Sequence, residues 1–254
     1  RRQRQMCIRD RRGKNLFIEA PTGVGKTIST IFPAVKAVGE GLADRIFYLT
    51  AKTITATVAK ETFALLEEQG YRAKVIQITA KEKLCLCEEM DCNPVNCPYA
   101  KGHFDRVNDA VFDLLQKSNL FTREEVLAQA KEYQVCPFEM SLDVATWADN
   151  IVCDYNYVFD PNVYLKRFFQ EGIKGDYLFL VDEAHNLVDR SREMYSADLY
   201  KEDVLAVKRI MKAHSRMICS ILDKCNKAML EMKRECEPVS YTHLRAHETE
   251  LHLV

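Results

Sequence analysis

The sequence lacks a run of about 18 apolar residues, the shortest length that suggests a transmembrane helix. It also shows no secretory signal at its start, so we expect a cytoplasmic protein, of a bacterial cytosol or nucleoid, with no membrane partner. An excess of positive charge is missing too, because 36 basic residues face 37 acidic ones and the net charge is −1. The chain as a whole therefore does not attract nucleic acid, and any contact with DNA must use a local groove.

What the sequence does contain is a phosphate-binding pattern in the segment Glu19–Thr27, after the apolar run Leu16–Ile18. A strand, a glycine turn and Lys-Thr at a helix start form the layout of a P-loop. There Lys26 reaches the β- and γ-phosphates of ATP, and the Thr27 hydroxyl binds Mg²⁺. The expected phosphate cradle consists of Thr22, Gly23, Val24, Gly25, Lys26 and Thr27. The sequence departs from the P-loop pattern at its first position, where Ala20 replaces the usual glycine. The alternative to a P-loop is a chance Gly-Lys-Thr turn on an ordinary helix.

A second candidate half of a nucleotide site follows the apolar run Tyr177–Val181, where the sequence reads Asp-Glu-Ala-His from residue 182. A carboxylate at the carboxyl end of a parallel strand lies where such sheets bind their ligands. We expect Asp182 to hold Mg²⁺ through water and Glu183 to orient or deprotonate the attacking water. We expect His185 to sense the γ-phosphate, so Lys26, Asp182, Glu183 and His185 form the candidate catalytic set. The alternative is a charged surface turn.

The order of apolar runs predicts an α/β fold with a parallel sheet and helical crossovers. Strands are expected at Leu16–Ile18, Arg45–Thr50, Ala73–Thr79, Asn150–Asp154 and Tyr177–Val181. From Lys81 to Asp149 we find helices and cysteines but no convincing strand, which indicates an insertion in the sheet domain. From Lys201 to Cys236 apolar residues recur at helical spacing without glycine or proline, so a long helix is expected, about 50 Å if unbroken.

The two ends of the sequence have a different character. Residues 1–12 are crowded with arginine, and residues 238–254 hold three of the six histidines. Both ends resemble translated adapter sequence, so we expect them to be non-native and outside the fold. For the second end, the alternative is a metal-binding tail formed by His243, His247 and His252.

The P-loop, the Asp-Glu-Ala-His sequence and the cysteine-bearing insertion together resemble the iron–sulfur helicases of superfamily two, the XPD and DinG group. The resemblance covers residues 14–237, with Leu49–Thr53 matching motif Ia and Asp154–Tyr157 matching a later segment. It implies a RecA-like first motor domain in two parts, an iron–sulfur insertion between them and the start of a helical arch domain. The implied boundaries are 13–80 and 150–195 for the motor domain, 81–149 for the insertion and 196–237 for the arch.

The resemblance also implies a 4Fe-4S cluster, which takes four thiolates. Its implied ligands are Cys85, Cys92, Cys97 and Cys136. Cys87 is the alternative first ligand, or it lies free beside the cluster. Zn²⁺ bound by four cysteines is the alternative metal, although only the Cys92 and Cys97 spacing suits structural zinc. We expect a structural role for the cluster, because the insertion has few apolar residues of its own; a redox role stays open.

The family resemblance further implies a path for single-stranded or forked DNA. Lys52 and Thr53 would contact phosphates in the motif Ia match, and Lys81 occupies a position that is basic in the family. Tyr155, like Tyr157, is a candidate for stacking on bases, with ordinary packing at a strand end as the alternative. We expect the only tryptophan, Trp147, in the core of the insertion.

These features together predict part of an ATP-dependent DNA helicase, moving 5′ to 3′ by family resemblance and acting in DNA repair or replication. ATP and Mg²⁺ would be its cofactors, and the sequence does not identify its protein partners. Such a motor needs a second RecA-like domain, so this chain should bind nucleotide weakly without fast hydrolysis or unwinding. The alternatives are a nucleotide-regulated P-loop switch, a zinc-binding interaction module, or a cluster-dependent nuclease or repair factor.

Overall fold

A computed structural model describes residues 15–21, 24–51 and 53–236 of the chain. The expectations for Thr22, Gly23, Lys52 and both ends of the chain fall outside these residues, as does the expectation for the Thr53 side chain. The chain forms two compact units, residues 1–195 and residues 196–254.

The first unit alternates helices and strands. In chain order its elements are α1 (Lys26–Gly39), β1 (Arg45–Leu49), α2 (Thr53–Glu68), β2 (Val75–Gln77), α3 (Lys81–Leu84), α4 (His103–Lys117), β3 (Leu120–Phe121), α5 (Arg123–Tyr133), α6 (Pro137–Ala145), β4 (Asn150–Cys153), α7 (Asn156–Phe159), α8 (Lys166–Phe169), β5 (Tyr177–Val181), a 3₁₀ turn (Ala184–Asn186) and α9 (Leu187–Met194). The second unit contains α10 (Lys201–Met211) and α11 (Arg216–Cys236). None of the helices in the described ranges is both long and apolar enough to cross a membrane.

The five strands form one parallel sheet in the order β3-β2-β4-β1-β5. The predicted α/β fold with a parallel sheet is therefore confirmed. At the centre, Leu49 lies opposite Cys153 on one side and Val181 on the other. This register brings Thr50, Asp154 and Asp182, the residues that follow these strands, to the same edge of the sheet.

Strand β1 shows why the sheet is covered on both faces. Successive side chains of a strand point to opposite faces. Phe47 packs in a cluster that includes Met140 and Tyr155, whereas its neighbour Tyr48 packs in a cluster with Ile31 and Phe63. Helices α1 and α2 supply the second cluster, and the inserted helix α6 contributes to the first. A strand buried on both faces reads as the continuous apolar run seen in the sequence.

Two strand predictions are wrong. The insertion contributes β3, a two-residue strand that pairs with β2 through Val75 and Leu120. Two residues are too few to produce a periodic pattern in the sequence. The predicted strand Leu16–Ile18 does not form, and Phe17 is 85% exposed. Leu16 packs near Leu178 and Leu180, but the outer edge of β5 pairs with no strand in the described part of the chain.

The insertion also carries more core than its sequence suggested. The largest cluster of buried side chains includes Val107, Ala110, Val111, Leu114, Val126, Ala130, Met140 and Val144 from α4, α5 and α6. Thr122 starts α5 with a capping box, accepting from the Glu125 N–H at 3.3 Å while its own N–H donates to the Glu125 carboxylate at 2.8 Å. The expectation of an insertion with little apolar material is wrong, because its helices pack against the sheet.

The expected long helix from Lys201 to Cys236 is interrupted at residues 212–215. Ser215 begins the second helix, since its hydroxyl accepts from the Ile218 N–H at 3.3 Å and its carbonyl from the Cys219 N–H at 3.2 Å. The two helices then pack against each other, with an ion pair between Lys208 and Asp223. A serine cap achieves the break without glycine or proline, so the unbroken-helix prediction is wrong.

Candidate functional site

The predicted P-loop leads into α1 through Gly25. This glycine has φ 71° and ψ 39°, in the left-handed region, and it caps α1. Lys26 is the first residue of the helix, where backbone N–H groups have no partner within the helix. Such a helix start attracts anions, because the N–H groups and the helix dipole point the same way. The backbone at Gly25 and Lys26 therefore suits a phosphate group.

The fold brings Lys26 to the Asp-Glu-Ala-His segment, 157 positions away along the chain. The Lys26 Nζ atom lies 3.3 Å from Glu183 Oε1, and the side chains are 34% and 35% exposed. The other oxygen of the same carboxylate, Oε2, lies 3.4 Å from His185 Nδ1. An ion pair this exposed contributes about 0–1 kcal/mol. A phosphate group can therefore replace Glu183 as the partner of Lys26 at little cost.

The backbone of Glu183 is in an unusual conformation for a residue with a side chain. Its φ of 49° and ψ of 47° lie in the left-handed region, which costs a non-glycine residue about 1–2 kcal/mol. The Tyr155 hydroxyl contacts the carbonyl oxygens of Asp182 and, at 3.2 Å, Glu183. The Asn186 side-chain amide also donates to the Glu183 carbonyl, at 3.1 Å. These contacts hold the two acidic residues in place.

The same contacts correct the expectation for Tyr155. Its side chain has no exposed surface, so no face of the ring is available to a nucleic-acid base. Burial, and next the charge of Asp182, raises the pKa of Tyr155 to about 12, which keeps the hydroxyl protonated as a donor. The packing alternative is the right one, because the ring is buried and the hydroxyl faces the Asp-Glu-Ala-His segment. Tyr157 is partly buried against the same core.

Tyr48 is a residue of this site that the sequence analysis missed. It lies in β1 with 2% of its surface exposed, and its hydroxyl is near enough to the side chains of Thr27 and Asp182 for both to influence its pKa. These are the two expected magnesium ligands. Burial, followed by the charge of Asp182, raises the pKa of Tyr48, so the phenol stays neutral. The only available signal was a polar atom within an otherwise apolar strand, one position before its carboxyl end.

The cysteines of the insertion surround one cavity of about 330 Å³. Its walls include all four expected ligands, Cys85, Cys92, Cys97 and Cys136, together with Cys87. Thiols are the donors that iron–sulfur clusters and structural zinc use, so the donor set fits either group. Within the described part of the chain, no three His, Cys, Asp or Glu side chains are already placed to hold a metal ion. The ligand set therefore stays a prediction.

Lys81 and His103 are two of the charged or polar residues that border the cysteine cavity. The Lys81 Nζ atom lies 5.7 Å from the centre of the Phe138 ring, and a hydrogen bond with Cys92 raises its pKa. His103 is 4% exposed, and its Nδ1 atom accepts the Cys136 N–H at 3.2 Å. Burial lowers the pKa of His103, which favours the neutral ring that this hydrogen bond requires. The sequence analysis had not singled out His103.

Lys81 also borders a larger groove, with a volume of about 1140 Å³, at the carboxyl ends of β1, β2 and β4. The basic residues of its wall are Lys81, Lys83, Arg123, Lys166, Arg167 and Arg190. Arg190 pairs with Asp154 at 3.0 Å, and Arg167 pairs with Asp143. Among the residues that the structure describes, Lys83 and Lys166 form no ion pair. The acidic residues of the same wall are Glu82, Glu139 and Asp154, so basic residues outnumber acidic ones six to three. The groove is therefore locally basic on a chain of nearly neutral charge.

Trp147 lies outside this groove and outside the core. It follows α6 and is 66% exposed, so the expectation of a core tryptophan is wrong. The turn after α6 buries Ala145 and Ala148 instead, which leaves the larger ring at the surface.

Comparison with known proteins was made for the sequence and for the fold. A profile of the family described as DEAD_2 matches residues 57–204, more than half of the chain. The Fanconi anemia group J protein homolog of Gallus gallus is 29% identical over 85 residues, 34% of this chain and 6% of that protein. The human regulator of telomere elongation helicase 1 is 25% identical over 150 residues, 55% of this chain and 12% of that protein.

A yeast relative and two solved structures extend the comparison. The general transcription and DNA repair factor IIH helicase subunit XPD/RAD3 of Saccharomyces cerevisiae is 24% identical over 225 residues, 74% of this chain and 28% of that protein. A solved XPD helicase superposes with a TM-score of 0.60 at 19% identity, covering 90% of this chain and 39% of that one. A truncated XPD gives 0.58 at 19% identity, covering 90% and 64%. The chain thus spans about a quarter or less of these sequence relatives and shares the fold of the XPD structures.

Proposed function

The chain belongs to the DEAD_2 family, and we propose on this basis that it is the first motor domain, with its cysteine-bearing insertion, of an ATP-dependent DNA helicase. The observation that carries the proposal is the meeting of Lys26 with Glu183 across 157 positions of the chain. A chance Gly-Lys-Thr turn is not expected to place its lysine beside an acidic residue with a strained backbone at the carboxyl edge of a parallel sheet. Domain boundaries at residues 81, 150 and 196 are part of the same proposal.

The contacts suggest how the site would work. Lys26 and the start of α1 would bind the β- and γ-phosphates, and the phosphates would take the place of Glu183 beside Lys26. Thr27 and Asp182, both near the Tyr48 hydroxyl, carry the oxygen atoms that would hold Mg²⁺. The ion would neutralise charge on the phosphates. Glu183, released from Lys26, would orient the attacking water, and His185 would report the change through the second carboxylate oxygen.

We propose that the groove at the carboxyl ends of β1, β2 and β4 is the path of single-stranded or forked DNA. Its basic residues would contact phosphates without reading sequence. Lys81 belongs to this wall, and Lys52 and Thr53 remain proposed contacts that follow β1 in the chain. Movement from 5′ to 3′ and a role in repair or replication rest on the family resemblance. A second motor domain would have to supply the other face of the ATP site.

We propose that Cys85, Cys92, Cys97 and Cys136 hold a 4Fe-4S cluster, with zinc as the alternative. The support is that these thiols line one cavity next to the groove. A bound cluster would cross-link thiolates that lie far apart in the chain. His103 accepts the Cys136 N–H and Lys81 lies beside Cys92, so these two residues would help to position two of the ligands. Brown protein with iron and sulfide would support the cluster, whereas colourless protein with stoichiometric zinc would refute it.

Salt-dependent binding of single-stranded DNA tests the groove. Lys83→Ala and Lys166→Ala should each lower affinity for an unstructured oligonucleotide and reduce the slope of log K against log salt by about 1. Lys131→Ala is the matched control, because Lys131 is exposed on α5 and does not line the groove. Equal effects of all three changes would refute the groove as the DNA path. No DNA binding, with Mg-ATP binding intact, would favour the nucleotide-regulated switch.

Nucleotide binding tests the ATP site independently of DNA. The chain should bind a fluorescent ATP analogue weakly in the presence of Mg²⁺, and Lys26→Ala should remove that binding. Lys36→Ala is the control, since Lys36 lies in the last turn of the same helix. Fast DNA-stimulated hydrolysis by this chain alone would overturn the proposal that it is half of a two-domain motor.

A further inference from the structure

The structure places a fifth thiol, Cys87, against one of the four proposed cluster ligands. We propose that Cys87 and Cys97 form a reversible disulfide, and that this disulfide withdraws Cys97 from the thiols that would hold the cluster. The disulfide itself depends only on the observed geometry. Its effect on the cluster rests on the proposed ligand set, and the two parts are tested by separate measurements.

The two sulfur atoms are already close. The Sγ atoms of Cys87 and Cys97 lie 3.8 Å apart, and the residues are ten positions apart in the chain. A disulfide needs about 2.05 Å between the sulfurs. The segment between α3 and α4 carries both residues and contains turns and bends but no helix or strand. Turn hydrogen bonds hold the Cys97 backbone, whose N–H donates to the Asn93 carbonyl at 2.8 Å, so the remaining approach has to come from side-chain rotation and from the backbone at Cys87. Both residues are only partly buried, which gives a small oxidant access.

The contact distinguishes Cys87 from the other cysteines of the cavity. Thiolates that bind different irons of a cubane approach it from different corners, with the metal atoms between them. Two sulfurs in van der Waals contact do not fit that arrangement, so Cys87 and Cys97 are unsuited to be ligands together. Cys97 then has two exclusive partners, the cluster or Cys87. The contact leaves Cys85, which also lies next to Cys87, to serve as the first ligand.

The same distance has one competing explanation. Four thiolates around Zn²⁺ with bonds of about 2.3 Å are separated by about 3.8 Å along each edge of the tetrahedron. Cys87 and Cys97 would then be zinc ligands, and the disulfide would not form in the metal-bound protein. The zinc and iron contents of the Cys87→Ser variant separate this explanation from the proposal.

The chemistry is thiol–disulfide exchange with a small disulfide such as oxidised glutathione. One cysteine thiolate attacks the small disulfide, which forms a mixed disulfide and releases one small thiol. The second cysteine thiolate then attacks the protein sulfur of the mixed disulfide and releases the second small thiol. Overall, two cysteine thiols are oxidised, one small disulfide is reduced to two thiols, and reduction by excess thiol reverses the change. The balance is the same whichever cysteine attacks first.

The first experiment looks for the disulfide in the full chain. Metal-free reduced protein is incubated with oxidised glutathione at mildly alkaline pH, blocked with N-ethylmaleimide and measured by mass spectrometry. We expect an internal disulfide, seen as two fewer blocked thiols of the ten and a mass loss of about 2 Da before blocking. Trypsin leaves Cys85, Cys87, Cys92 and Cys97 in one peptide, residues 84–101. Cleavage after Glu88 or Glu89 is therefore needed to show a link between the two halves.

The second experiment separates the disulfide from the cluster with matched variants. Cys87→Ser should lose the disulfide but still take up iron and sulfide on reconstitution. Cys92→Ser should give the opposite result, because it should keep the disulfide but lose the cluster. Cys97→Ser should lose both. In the unmodified chain, prior oxidation should block iron uptake until a reductant is added, and Cys87→Ser should be insensitive to the same oxidation.

The proposal is overturned if the cross-linked peptides persist in Cys87→Ser or Cys97→Ser, or if Cys92 replaces Cys97 in the link. Failure of folded Cys87→Ser to take up iron would also overturn it, because Cys87 would then be a ligand; circular dichroism checks the fold. Stoichiometric zinc lost in Cys87→Ser would establish the competing explanation. A confirmed disulfide in a chain that binds neither iron nor zinc would uphold the pair and refute the proposed cluster.

Discussion

At the scale of single residues, Tyr155 links the carboxyl end of β4 to the Asp-Glu-Ala-His segment that follows β5. Its ring fills the core beside β4, and its hydroxyl reaches the carbonyls of Asp182 and Glu183. Next to it, Asp154 pairs with Arg190 at 3.0 Å, which ties the same strand end to α9. The Tyr155 hydroxyl therefore contacts the strained Glu183 residue directly, and the Asp154–Arg190 ion pair holds the helix that follows it.

Replacing Tyr155 with phenylalanine should destabilise the fold measurably. Loss of the buried hydroxyl removes the donor to the Asp182 carbonyl, which costs about 1–3 kcal/mol, whereas the Glu183 carbonyl keeps its hydrogen bonds from Asn186. Urea unfolding, followed by circular dichroism, should show this decrease. Tyr195→Phe is the control, because the Tyr195 hydroxyl also donates to a carbonyl, Phe159 O at 3.2 Å, but the residue is 61% exposed. Equal losses in the two variants would contradict the role of burial.

The buried tyrosines also set the behaviour of the protein at high pH. Burial raises the pKa of Tyr155 and Tyr157 from 10.0 to about 12. A raised pKa means that the folded state keeps protons which the unfolded state loses above pH 10. This stabilisation is complete below pH 10 and declines as the pH rises towards 12. Unfolding by urea at several pH values from 9 to above 11 should show the decline.

The Tyr155→Phe and Tyr157→Phe variants provide the control for the pH dependence. Each removes one group whose pKa differs between the folded and unfolded states, so the loss of stability above pH 10 should become shallower. A pH dependence unchanged in both variants would show that other groups cause it.

At the scale of elements, helix α1 presents Lys26 to the acidic segment because its first turn begins at a left-handed glycine. Gly25 has φ 71°, whereas Gly39 at the other end of the helix has an ordinary φ and no atom within 4 Å of an added Cβ. The two glycines of one helix thus have different roles. Of the two, only Gly25 adopts a backbone conformation that strains a residue with a side chain.

Replacing each glycine with alanine tests this difference. Gly25→Ala should destabilise the fold by about 1 kcal/mol and weaken Mg-ATP binding, because alanine is strained at that backbone conformation. Gly39→Ala should be neutral or stabilising by up to about 1 kcal/mol, because alanine restricts the unfolded chain. Urea unfolding and titration with a fluorescent ATP analogue measure both effects. Similar results for both variants would contradict a special role for Gly25.

At the scale of the whole molecule, the insertion belongs to the same core as the sheet. Helices α4, α5 and α6 bury apolar side chains in the cluster that contains Phe47 and Ile151. The loop between α3 and α4, which carries four of the five cavity cysteines, has no helix or strand. A metal group would therefore order this loop, while the helices are held by their packing.

Hydrogen exchange with and without the metal group tests this division. On removal of the metal, residues 85–102 should lose protection, whereas α4 and α6 should keep most of theirs. Strand β1 serves as the internal control, since none of its residues lines the cysteine cavity and four of its five residues are buried. Loss of protection throughout residues 81–149 would show instead that the metal group holds the whole insertion together.

Several features of this protein were readable from the sequence, because they depend on neighbouring residues. The apolar runs predicted the strands β1, β2, β4 and β5, since the strands of a parallel sheet covered by helices are mostly apolar. Spacing within the P-loop and after β5 identified Lys26, Glu183 and His185 as candidates. The five cysteines of the insertion stood out by residue type alone.

The tertiary structure decided the features that depend on residues far apart in the chain. Tyr48 looks like an ordinary strand residue, and Tyr155 was a candidate for stacking on bases. Only the parallel register brings the Tyr48 hydroxyl near Thr27 and Asp182 and the Tyr155 hydroxyl to the carbonyls of Asp182 and Glu183. The exposure of Trp147, the pairing of β3 and the contact between the Cys87 and Cys97 sulfurs likewise depend on how segments pack. Local pattern fixes which face of an element is apolar, whereas only packing determines which polar atoms meet.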